Sequence, residues 1–72
     1  MAEIVDARGL SCPIPVIMAR RALDAVASGE VQVLVDEEVA KENVSRLARS
    51  SGCPVDVVEE GGEFRLRIEK TG

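Results

Sequence analysis

Histidine, tryptophan and tyrosine are absent from this chain, and Phe64 is its single aromatic residue. Without an imidazole there can be no His-containing zinc site and no Cys–His nucleophilic pair. A core without aromatic bulk must be built from Val, Ile, Leu and Ala. Cysteine is also scarce: Cys12 and Cys53 are too few for a disulfide scaffold. No apolar run approaches the ~20 residues of a membrane helix, no secretory leader is visible, and the expected compartment is the cytoplasm. A basic surplus is missing too. The formal net charge of −4 argues against a general nucleic-acid binder, which needs a basic face to displace counterions. What is present is globular, with 46 % hydrophobic and 31 % charged residues in a 72-residue chain. That is one small domain, near the lower limit for a self-sufficient core.

The most informative stretch is Asp6-Ala7-Arg8-Gly9-Leu10-Ser11-Cys12-Pro13-Ile14-Pro15-Val16. A β-branched pair, Ile4-Val5, precedes it, and an apolar pattern of helical period follows from Val16 to Ala27. Cys12 therefore falls at a strand-to-helix junction, at about the helix N-cap. Pro13 at the first helical position costs no hydrogen bond, and Pro15 still lies in the first turn, where amides lack intrahelical partners. The free N–H groups and partial positive charge of a helix start favour a thiolate over a thiol. A free cysteine is ordinarily a buried small hydrophobe. This setting points instead to a reactive one, and without a neighbouring base it suits accepting and passing on a group.

Along the chain, Glu3 to Asp6 reads as a first strand and Asp6 to Ser11 as a loop, with Gly9 free to adopt a left-handed backbone. Asp6 and Arg8 flank that loop and could shape it through hydrogen bonds. A helix from Pro13 to Ala27 places Val16, Ala19, Leu23, Val26 and Ala27 on one stripe, and Gly29 is expected to stop it. Ile14, Ile17 and Met18 fall on the opposite face around Arg21. They are either incidental surface or a docking patch beside Cys12. Val31 to Asp36 reads as a second strand, with Val31, Val33 and Val35 inward. Asp36 or Glu37 opens a second helix that runs to about Ser51, with Gly52 as its stop. Asp36 is expected near the Cys12 loop, as a helix cap or partner contact. Val55 to Glu59, a Gly61-Gly62 turn and Phe64 to Glu69 complete a hairpin. The order β-α-β-α-β-β predicts an α+β two-layer sandwich: a four-stranded mixed sheet with both helices on one face. Topology sets Cys53, at the start of the third strand, at the sheet end opposite Cys12, where a structural role is expected.

Gly9-Leu10-x-Cys12-Pro13-x-Pro15, the basic pair Arg20-Arg21 and Val35-Asp36 resemble the TusA/SirA-like sulfur-carrier family over Ile4 to Ile68. The run from Val35 to Val44 further resembles the amino-terminal domain of YedF-type proteins, a branch linked to selenium metabolism. The resemblance implies the fold of the carboxy-terminal domain of translation initiation factor three. It also implies a persulfide on Cys12, loaded by a cysteine desulfurase-like donor protein and unloaded by an acceptor protein, with no cofactor or metal. Arg20 and Arg21, too far along the helix to touch Cys12, would pair with an acidic partner or steer it. A second domain beyond residues 1–72 is a further implication. The competing readings are a non-catalytic interaction module using Ile14, Ile17 and Met18, a redox sensor lacking a well-placed resolving cysteine, and, weakest, an RNA binder.

Overall fold

The computed structural model describes residues 3–11, 13–26 and 28–70. Strand β1 (Glu3–Asp6) leads through a loop into helix α1 (Ile14–Ala25), followed by β2 (Gly29–Val35), α2 (Glu38–Ser50), β3 (Val55–Glu60) and β4 (Glu63–Lys70). The sheet order is β1-β2-β4-β3. β1 and β2 are parallel, and β4 is antiparallel to both of its neighbours, so β3 runs in the direction of β1 and β2. The expected mixed sheet is present. The hairpin partner β4, rather than β3, lies beside β2.

Strand alternation decides the two faces. Val31, Val33 and Val35 of β2 and Leu66 and Ile68 of β4 are fully buried on the helical side. Ala19 and Leu23 of α1 and Ala40, Val44 and Ala48 of α2 meet them, with small residues letting the helices approach the sheet closely. Val16, Ala22 and Val26 pack partly against this core, as does Met18. Ala27 lies outside the described residues. The other sheet face is polar, and there Leu34 and Val58 flank Arg65 across the ladder.

Three boundaries differ from expectation. The N-cap of α1 is Pro13, and Pro15 occupies the second helical position rather than Pro13 the first. Helix α1 stops at Ala25 because Val26 turns extended, with its amide still bonded to the Ala22 carbonyl. Gly29, expected as the helix stop, is the first residue of β2. Proline chemistry tolerates a shift of one position at a helix start, so the sequence alone cannot fix it.

The end of α2 is closed as expected. Gly52 takes a left-handed φ of 75°, its amide donates to the Arg49 carbonyl at 3.0 Å, and the Cys53 amide donates to the Ala48 carbonyl at 2.9 Å. These two bonds define a Schellman stop, whose last position favours an apolar side chain turned back onto the helix. Cys53 fills it and is buried, with its thiol 3.8 Å from the Ser51 carbonyl oxygen.

Candidate functional site

The carboxyl ends of β1 and β2 share one sheet edge with the β3–β4 hairpin, and the loop Ala7–Ser11 sits there. Four anchors fix it. The Ala7 amide donates to the Leu34 carbonyl at 2.9 Å, extending the β1–β2 ladder by one residue. Gly9, at φ 77°, turns its amide onto the Asp36 carboxylate at 2.9 Å. The Asp6 carboxylate accepts from the Arg8 backbone amide at 3.2 Å, from Nε at 2.9 Å and from Nη2 at 2.8 Å. Arg8 Nη1 also reaches the Glu63 carboxylate at 3.2 Å, tying the loop to the start of β4. The Arg8 guanidinium beside Asp6 holds that carboxyl down at about 2, and the Arg8 cation is in turn held above its ordinary range.

Sequence reasoning named Asp6, Arg8 and Gly9 for this loop but missed Glu63, 55 positions away. Only the hairpin topology brings it there, and no local signal reveals it. The expected role of Asp36 as a helix cap is corrected. Its carboxylate binds the Gly9 amide, while the N-cap of α2 is Glu37, which makes no side-chain capping bond. Each carboxylate near the loop is thereby engaged: Asp6 and Glu63 with one guanidinium, Asp36 with one amide.

Cys12 lies outside the described residues, but its flanks are placed. Ser11 accepts from the Ile14 amide at 3.0 Å, and Pro13 accepts from the Ile17 amide at 3.1 Å. The helix start offers fewer free donors than expected, since Pro13 and Pro15 carry no N–H and the Ile14 amide is taken. No acidic residue stands in the first turn to offset the positive end of the helix dipole.

Around this junction Leu10, Ile14 and Ile17 are exposed, the last two at 44 % and 41 %. Pro13 is exposed and Pro15 is buried. Met18, expected beside Ile14 and Ile17, is half-buried and packs against the core. It lines a shallow depression with Ile4, Val5, Arg21 and Ala22. The apolar surface is therefore Leu10, Ile14 and Ile17 rather than the trio read from the helical wheel. Arg20 and Arg21 are exposed and, among the described residues, make no ion pair. No group of His, Cys, Asp or Glu among the described residues could hold a metal ion. Among the described residues, no helix is long and apolar enough to cross a membrane.

A pinned loop and an apolar, proline-rich helix start on a two-layer α+β domain define the class. The comparisons make the class specific. Residues 3–70 match the family model described as sulfurtransferase TusA. The sulfur carrier protein TusA of Allochromatium vinosum is 33 % identical over 69 residues, covering 93 % of this chain and 91 % of that protein. The crystal structure of a SirA-like protein from Desulfitobacterium hafniense superposes with a TM-score of 0.90 at 32 % identity, over all of both chains. The chain belongs to the TusA family of sulfur carriers.

Proposed function

We propose that this domain carries sulfur as a persulfide on Cys12. The observation that carries the reading is family membership together with Gly9-Leu10-x-Cys12-Pro13-x-Pro15 between the pinned loop and α1. In the loading step the Cys12 thiolate attacks the terminal sulfur of a persulfide on a cysteine desulfurase-like donor. A new S–S bond forms at Cys12, the donor S–S bond breaks, and the donor thiolate leaves, so no net oxidation occurs. A persulfide is more acidic than a thiol, and the positive end of α1 favours its ionised form. An acceptor protein then takes the terminal sulfur by the same exchange. Leu10, Ile14 and Ile17 supply the apolar contact for each partner in turn, with Arg20 and Arg21 steering acidic surfaces.

On this reading the work belongs to the cytoplasm, where the acceptor thiol of Cys12 is kept reduced and ready for loading. The YedF-like run Val35–Val44 extends the proposal to selenium as an alternative cargo and to a second domain as one possible recipient. The test is intact mass spectrometry after incubation with a cysteine desulfurase, cysteine and pyridoxal phosphate, without reductant. Wild type is expected to gain one sulfur atom, ~32 Da, and Cys12→Ser none. Wild type that gains nothing, while still binding the desulfurase through Ile14 and Ile17, would favour a non-catalytic interaction module.

A further inference from the structure

The helical layer does not cover the whole sheet. Helix α2 packs chiefly on β4, and the edge strand β3 projects past it. A groove of about 410 Å³ runs between α2 and β3, lined by Lys41, Glu42, Ser45, Arg46, Arg49 and Val57. Val57 faces the helical side in the same ladder row as buried Leu66 and Val33, yet it is 44 % exposed. The outer edge of β3 pairs with no strand among the described residues, since β3 is last in the sheet order.

The groove lining carries a positive surplus, with Glu42 its single carboxylate, although β3 itself bears Asp56, Glu59 and Glu60. Three of the nine Lys and Arg residues line the groove of a chain whose net charge is −4. Lys41 is engaged with Glu38 at 3.7 Å and stands 4.9 Å from the Phe64 ring centroid. Arg46 and Arg49 are exposed and make no ion pair with any described residue. A neighbouring apolar floor, an unpaired strand edge and two unpaired guanidinium groups are the parts of a strand-addition site.

We propose that this groove binds an extended acidic segment of a partner protein, added as a fifth strand along β3. Its alternate side chains would face α2, with an apolar one over Val57 and a carboxylate in the row of Val55 meeting Arg46 and Arg49, while the row of Glu59 disfavours a further acidic residue. The opposite side chains of the segment would lie over the outer face, where Asp56 sits, and there acidic residues are disfavoured. A nucleic acid fits less well, because single-strand binders stack bases on aromatic rings and the sole aromatic, Phe64, already lies beneath Lys41. The groove belongs to α2 and the far sheet edge, whereas Ile14 and Ile17 belong to α1. A partner could therefore be held by one surface while the Cys12 loop engages another, whether or not that loop carries sulfur.

The probe is the capped peptide Thr-Glu-Thr-Val-Thr-Thr-Thr, titrated into the isotope-labelled 72-residue chain. Amide shifts are expected along Val55 to Val58 and at the Arg46 and Arg49 side chains. Arg46→Glu with Arg49→Glu should weaken binding about tenfold or more, and the peptide with Lys in place of Glu should then bind the variant better than wild type. N-methylation of alternate peptide amides should weaken binding at unchanged charge, because strand addition needs those donors. Equal affinity for the Glu and Lys peptides, or for the N-methylated form, would overturn the proposal. So would shifts confined to β1, or an oligouridylate that binds this groove more tightly than the peptide.

Discussion

The loop that precedes position 12 and the turn that holds Cys53 lie at opposite ends of the sheet and are built by opposite means. At one end, the loop leading to Cys12 is held by side chains: Asp6, Asp36 and Glu63 bind Arg8 and the Gly9 amide, all near solvent. At the other end, Cys53 is held by backbone: two amide bonds close α2 and turn the thiol into the core. Cys53 is hidden in a helix stop, whereas five polar groups fix the loop that precedes position 12. The lesson is that cysteine type carries little information, and the local backbone chemistry around it carries much more.

The largest expected effect comes from breaking the backbone device. Gly52→Val forces a β-branched residue into a left-handed φ, and should cost about 2 kcal/mol in urea unfolding while exposing Cys53 to alkylation. Cys53→Ser places a hydroxyl where a buried thiol was, and should cost about 1–2 kcal/mol without changing sulfur loading of Cys12. Asp36→Asn weakens the acceptor of the Gly9 amide bond. A loss of about 0.5–1 kcal/mol is expected, together with faster exchange of the Gly9 amide, read by hydrogen-exchange NMR.

The smallest effect is a pH dependence at the loop. The Asp6 carboxyl, held down at about 2 by its bonds to Arg8, ionises in the unfolded chain at its ordinary value of 3.8. A depressed carboxyl contributes its stabilisation above the unfolded value and loses it as pH falls toward the folded one. The Arg8 amide resonance should therefore hold steady from pH 7 to about 4 and move as pH falls toward about 2. Because both partners are exposed, salt should weaken this contribution.

Most of the architecture was legible because it rests on period and punctuation. The alternation in β2 and the Gly52 stop each have a local cause, and each stands where the sequence places it. The end of α1 was not legible. Gly29 offers a plausible stop, but the chain leaves the helix at Val26 by turning extended, which almost any residue permits. Met18 shows the limit of a helical wheel. A long flexible side chain near the edge of the buried stripe bends back onto the core, where its sulfur and methylenes gain contact. The ties of Asp36 and Glu63 to the loop are tertiary, because they depend on which strand ends share an edge. Topology suggested that for Asp36 and could not for Glu63, whose placement follows from β4 inserting beside β2.

The most direct test of the contrast is residue-resolved alkylation of the native protein with iodoacetamide across pH 5 to 10, read by peptide mass spectrometry. The account predicts that Cys12 reacts with an apparent pKa below the ordinary thiol value of about 8.5, while Cys53 stays protected until the chain unfolds. An ordinary thiol profile at Cys12, or native-state labelling of Cys53 at a matching rate, would contradict it.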